Sequence, residues 1–170
     1  SLVIDKEVLS KFVMGGATSP EYNFAVAGTA NYTAIKTPYQ HTASQTRIAE
    51  AKKLLKEAGY NENHPLKFKL LYATNDERQK EITAVASMIQ QALPSVKVAI
   101  ENQEWKTFLS TLHGNDWDMS RQGWIADYND PMAFYGNLQT GGSSNYTGYS
   151  NKKYDTLLEQ SYNERNMKKR

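Results

Sequence analysis

The stretch LKFKLLYATNDERQKEITAVASMIQQALPSVKVAI, residues 66–100, decides the fold. Leu66, Phe68, Leu70 and Tyr72 alternate with Lys67, Lys69 and Leu71, the period of two that marks a strand. The period then changes. Ile82, Val85, Ala86, Ile89 and Leu93 recur at helical spacing, Asp76 stands where a cap belongs, and Pro94 lies just past the end. Val96, Val98 and Ile100 return to alternation. Strand, helix and strand over about 35 residues predict a right-handed βαβ unit with parallel strands.

Upstream, Ile48, Ala51, Leu54, Leu55 and Ala58 form one apolar helical stripe. Lys53 and Glu57 pair at i,i+4, and Gly59 supplies the stop. Asp5 is expected to cap a short helix carrying Val8, Leu9, Phe12 and Val13, ended by Gly15-Gly16. Residues 17–42 show no periodicity and read as a long loop packed by its own side chains. Downstream, Trp105, Phe108, Leu109 and Leu112 mark an amphipathic helix, followed by a third strand over 117–124. A short helix is expected from Pro131 to about Leu138, then a Gly/Ser/Asn loop, then a last helix capped by Asn151 with Tyr154, Leu157 and Leu158. No internal repeat is present. The predicted class is α/β, with a mixed, largely parallel sheet flanked by helices.

A chain of 170 residues is ample for one core. The net charge of +2, with 22% charged residues, gives no strong field toward nucleic acid or acidic membranes. The basic end Lys168-Lys169-Arg170 reads as a solvated helix end. With no cysteine, disulfides and thiolate metal sites are excluded. No apolar run approaches the roughly 18 residues that span a bilayer. No signal peptide is visible, but the sequence opens inside one helical pattern and stops inside another without a stop signal. It is therefore expected to be a piece of a longer protein. His41, His64 and His113 lack zinc-type spacing, and no nucleophile elbow, P-loop or dinucleotide fingerprint occurs. Neither a metal nor a cofactor is expected. Asn31-Tyr-Thr33 and Asn145-Tyr-Thr147 match glycosylation acceptors, a motif short enough to arise by chance.

Chemistry concentrates in WDMSRQGWIADYNDP, residues 117–131. Arg121, Trp124 and Asp127 fall together where a strand runs into a turn closed by Asn129, Asp130 and Pro131. Ligands gather at the carboxyl ends of strands in open α/β sheets. A guanidinium, a flat aromatic wall and a carboxylate suit a zwitterion with apolar side chains, which describes a peptide. Asp127 can accept from an ammonium group, or it can organise the turn with Tyr128 and Asn129. Arg121 can meet a carboxylate, or pair structurally with Asp118 or Asp127. Trp124 and Trp105 can wall a ligand or belong to the core. A competing reading from another class makes Asp127 and Asp130 the carboxylates of a hydrolytic domain.

The run Gly123-Trp-Ile-Ala-Asp-Tyr-Asn-Asp-Pro131 resembles the binding loop of the periplasmic oligopeptide-binding proteins that feed ABC importers. Asn102-Gln-Glu-Trp-Lys-Thr-Phe-Leu109 resembles the segment just upstream in that branch, which includes murein-peptide receptors. Glu50-Ala-Lys-Lys-Leu-Leu-Lys-Glu-Ala-Gly-Tyr60 resembles a helix end of the wider dipeptide, oligopeptide and nickel-binding group. The resemblance runs from about residue 43 to 160. It implies one lobe, over residues 1–170, of a two-lobe receptor of the type II-like architecture, with the N-terminal lobe and hinge strands absent.

The resemblance also implies roles. Asp127 would pair with the peptide's α-amino group. Trp124 would wall the cleft, and Trp105 would contribute to a side-chain pocket. Gly123 and Ile125 would present backbone groups to an extended peptide, Ile125 standing where some relatives have cysteine. Arg121 would face the carboxylate of short peptides. Relatives carry a further charged anchor, a histidine, where this chain reads Glu77-Arg78-Gln79: either Arg78 supplies that cation, with Gln79 beside it as a further ligand-binding candidate, or the anchor is absent. The implied function is capture of oligopeptides for import, with murein tripeptide, dipeptide, haem or an antimicrobial peptide as alternative cargo within the family. Implied partners are the peptide and the membrane permease subunits, with no nucleic acid, for a monomer in the periplasm or on a Gram-positive surface as a lipoprotein.

Overall fold

The computed structural model describes residues 2–114 and 116–166; the basic end at 168–170 lies outside them. The chain divides into two compact units. The first holds residues 1–20 and 37–122, and the second 21–36 and 123–170.

The first unit is built on three parallel strands in the order β2-β1-β3. β1 (Leu66–Ala73) is central and pairs along its whole length with β2 (Val96–Gln103), from Leu66 opposite Val96 to Ala73 opposite Gln103. Between them runs α3 (Asp76–Ala92), whose Ile82, Val85 and Ile89 meet Leu70, Tyr72 and Val96 in one cluster, joined by Leu93 just past the helix end. α2 (Ser44–Glu57) adds Ala51 and Leu55 to that cluster, and Gly59 at φ +85° turns the chain out of the helix, a conformation only glycine adopts without strain. α4 (Trp105–Gly114) packs on β1 and β2 through the buried Phe108 and Leu112, and Trp117 caps it by donating from its indole nitrogen to the Leu112 carbonyl at 3.2 Å. The predicted strand-helix-strand unit is therefore present.

Four expectations are corrected here. Asn75, not Asp76, caps α3: its Oδ1 accepts from the Arg78 N–H at 3.1 Å, which leaves Asp76 as the first helical residue. Leu71 is buried rather than aligned with the exposed lysines, because a central strand is covered on both faces where neighbours flank it. β3 is only Met119–Ser120 instead of 117–124. On one flank a side chain stands in for the ladder, the Asp118 carboxylate accepting from the Lys69 N–H at 2.9 Å; on the other a single backbone bond extends it, from the Arg121 N–H to the Leu71 carbonyl at 2.8 Å. Phe12 is 72% exposed. α1 (Lys6–Val8), capped by Asp5 as expected, passes at Leu9 into a π-helical turn over Leu9–Val13. The i→i+5 bond from Met14 N–H to the Leu9 carbonyl rotates Phe12 off the face that Leu9 buries.

The second unit has little regular structure. α5 (Met132–Tyr135) runs into a 3₁₀ turn over Gly136–Leu138, and α6 (Lys152–Asn163) packs on α5. Met132, Ala133, Phe134 and Leu158 are buried; Leu157, expected beside Leu158, is exposed. Asn151 caps α6 as predicted, accepting from the Tyr154 N–H at 3.1 Å. Side chains do what ladders do elsewhere. The Glu21 carboxylate accepts from the N–H groups of Ala27, Tyr22 and Asn23, which holds it below the usual carboxylate range. Asn145 donates to the carbonyls of Tyr149 at 2.7 Å and Gln139 at 3.0 Å, so this asparagine is the hub of its loop. Tyr154 donates to the Tyr135 carbonyl at 2.7 Å, and burial pushes its phenol up to about 12.

Candidate functional site

Parallel strands end on the same side, so in the first unit the segments leaving β1, β2 and β3 share one edge. Asn102 donates from its side chain to Thr74 Oγ1 at 3.1 Å, and the Thr74 N–H donates to the Gln103 carbonyl at 2.8 Å, tying the ends of β1 and β2 together. After β1, the first turn of α3 brings Arg78, with Gln79 exposed beside it. After β2, α4 opens with Trp105, which is 54% exposed and stacks on Phe108 at 5.8 Å between ring centres. The Arg78 guanidinium sits 6.0 Å from the Trp105 ring centre, within cation–π range. After β3 comes Arg121. Its Nε donates to Glu81 Oε2 at 3.1 Å, and only about a quarter of either side chain is open to solvent, at 28% and 25%.

Three residues singled out in the sequence thus meet at one sheet edge: Arg78, Trp105 and Arg121. Within the first unit the ion-pair partner of Arg121 is Glu81, not Asp118. Asp118 is committed to the Lys69 N–H. Glu81 escaped the sequence reading. The signal was there, because it lies three residues after Arg78 on the helix that follows β1, and i,i+3 residues share a helix face.

In the second unit, residues 123–129 form an irregular, exposed loop. Trp124 is held by a hydrogen bond from its indole nitrogen to the Ala133 carbonyl at 2.8 Å, yet its side chain stays 47% exposed. Ile125 is 90% exposed, an unusual placement for a large aliphatic side chain. Among the described residues of this unit, Gly123, Trp124 and Ile125 donate no backbone hydrogen bond to another backbone group. The turn is organised by other residues. Asn129 Oδ1 accepts from the Ala30 N–H at 2.8 Å, and the buried Asp130 accepts from the Met132 N–H at 2.9 Å, starting α5. Asp127 is exposed, and the turn bonds among the described residues run through Asn129 and Asp130. An open hollow of about 490 Å³ adjoins Asp127, lined by small residues that include Ala27, Gly28, Thr29 and Ala126.

Residues 1–146 match the family model for "Bacterial extracellular solute-binding proteins, family 5 Middle". The chain belongs to that family. The periplasmic murein peptide-binding protein MppA of Escherichia coli is 36% identical over 170 residues, which is 100% of this chain and 32% of that protein. The solved structure of the murein tripeptide-binding protein MppA in its unliganded open form matches at a TM-score of 0.93 with 36% identity, covering 99% of this chain and 33% of that one. OppA of Haemophilus influenzae, solved in complex with the peptide RPPGFSPFR, matches at 0.89 with 33% identity, covering 98% and 33%. The chain therefore spans about a third of the length of these relatives. The resemblance read from residues 43–160 and the α/β class with a parallel sheet flanked by helices both hold. The family is one of solute-binding proteins, and with Asp130 committed to the start of α5 the hydrolytic alternative is set aside.

Proposed function

We propose that this chain is the ligand-binding part of a longer periplasmic receptor, one lobe of two, that captures oligopeptides and hands them to the permease subunits of an ABC importer. The observation that carries the reading is the loop Gly123–Asp127. It combines backbone donors that have no partner among the described residues, a half-open tryptophan, an almost fully open isoleucine and an exposed carboxylate. An extended peptide satisfies all four. Its main chain adds to the backbone of Gly123 and Ile125 as a strand would, giving affinity without reading side chains. Its apolar groups cover Trp124 and Ile125, and its ammonium donates to Asp127 with charge assistance. Within the first unit, Arg121 and Arg78 offer charge to a peptide carboxylate and Trp105 a wall for a side chain. The similarity to MppA favours a second cargo, murein peptide, held by the same groups.

The test uses the intact receptor and calorimetry with trialanine, its N-acetylated form and a murein tripeptide. Asp127→Asn is expected to cost about 2–5 kcal/mol, the usual loss when one partner of a buried charge pair is removed. N-acetylation should cost a similar amount. The two penalties should not add, because both delete one interaction; additive penalties would place the role of Asp127 elsewhere. Binding of the murein tripeptide alone would select the second cargo.

A further inference from the structure

We propose that Glu81 is a specificity-determining residue: by neutralising Arg121 it weakens recognition of a free terminal carboxylate there and favours ligands that offer Arg121 a neutral acceptor. The proposal rests on the reading above, in which Arg121 faces the carboxylate side of a bound peptide.

The geometry separates orientation from charge. A guanidinium has five N–H donors in a planar fork. Only the Nε donor is taken, by Glu81 Oε2 at 3.1 Å, and the terminal nitrogens of Arg121 have no partner among the described residues. The fork therefore remains sterically able to take a ligand oxygen. The charge is another matter. Arg121 and Glu81 sum to zero, and with about three quarters of both side chains covered, water screens the pair poorly. A ligand carboxylate on the outer edge of the fork meets the glutamate's negative charge across the width of the guanidinium. A backbone carbonyl from the middle of a longer peptide accepts the same N–H groups without that repulsion. Arg78, on the same sheet edge, contrasts with Arg121. Its guanidinium lies by the Trp105 ring and forms no ion pair among the described residues, so it keeps its full charge. Glu81 thus biases the edge toward peptides long enough to carry their carboxylate past Arg121.

The experiment measures affinities of the intact receptor for trialanine, its C-terminal amide, tetraalanine and pentaalanine. Wild type is compared with Glu81→Gln, Glu81→Met and Arg121→Met. Glutamine still accepts from Nε and removes only the charge. Glu81→Gln should tighten trialanine by on the order of tenfold, leave the amide unchanged and raise the acid-to-amide preference. Glu81→Met should raise the same preference while weakening both ligands, because Arg121 is no longer held. An unchanged preference in both Glu81 variants, while Arg121→Met lowers it, overturns this inference and leaves the peptide reading standing. An unchanged preference in Arg121→Met shows that Arg121 does not meet the carboxylate; the inference falls together with the role given to Arg121, while the reading carried by Gly123–Asp127 stands. If no oligoalanine binds the native receptor, the oligopeptide reading fails and the inference with it.

Discussion

The two units of this chain reach order by different routes. In the first, a central strand is laddered over its whole length to β2, and a helix on β1 and β2 buries Leu70, Tyr72, Ile82, Val85, Ile89 and Val96 together. In the second, the regular elements are two short helical turns and one longer helix, and the loops are fixed by carboxylate and amide side chains acting on backbone groups. Apolar burial is non-directional and repeats with the period of the element, so it is written into the sequence as a pattern. A side chain that bonds a backbone group six or 99 residues away, as Glu21 does to Ala27 and Asn129 to Ala30, leaves no period. The loop proposed to touch ligand belongs to the second route, where exposed segments can stay unsatisfied until something binds.

This comparison breaks most visibly in the core. Leu70 is almost fully buried in the central strand, and Leu70→Ala should cost about 2–5 kcal/mol, read by urea denaturation followed by circular dichroism. No single polar deletion in the second unit should match it. A loss under about 1 kcal/mol would mean the site collapses around the smaller residue, and that the cluster is looser than its burial implies.

Glu21 tests the other route. Glu21→Ala leaves three backbone N–H groups without their acceptor and should cost about 1–3 kcal/mol. The pH dependence sharpens it. The folded carboxyl is held below its ordinary value of 4.5, first by the Ala27 N–H, so its contribution is complete above that value. It is lost as pH falls through the lowered folded value, because the unfolded chain binds the proton more readily. Wild type and Glu21→Gln should therefore converge in stability toward strong acid. A gap that does not narrow would show that the loop is held by shape and not by the ionised carboxylate.

The same difference explains how much could be read beforehand. The βαβ unit, the stop at Gly59 and the Asn151 cap were legible, since each is a local rule with a local signature. The cap falls on Asn75 and not on the expected Asp76, because both residue types cap helices and adjacent positions differ only in backbone angle. The length of β3 was misjudged because Asp118 imitates a ladder bond with its side chain, and nothing in alternation distinguishes the two. For the site, residue types carried the reading. Arg121, Trp105 and Arg78 do share one edge, as parallel strands require, whereas Glu81 had only its i,i+3 spacing from Arg78 to mark it, and its partner Arg121 lies 40 residues on. For Asp127 the sequence left two roles open, an acceptor for an ammonium and an organiser of the turn with Tyr128 and Asn129; the turn bonds seen among the described residues are those of Asn129 and Asp130.

The smallest effect is the finest test of what helical periodicity conveys. Leu54 and Leu55 are neighbours on α2, and both belong to the predicted apolar stripe. In the structure Leu55 packs against the core cluster, whereas Leu54 is exposed. One helical step of about 100° carries a side chain from the edge of the buried face to solvent. Leu54→Ala should therefore change stability by no more than about 0.5 kcal/mol, as surface substitutions do. Leu55→Ala should cost more, about 1–2 kcal/mol, short of the full core value because Leu55 is only partly covered. The pair shares propensity, length and local sequence, so the difference isolates burial. Equal and small losses would show that α2 adds little to the core and is carried by Ala51 alone. Equal and large losses would show that Leu54 is covered in solution, and that the outer face of α2 is an interface for another part of the receptor.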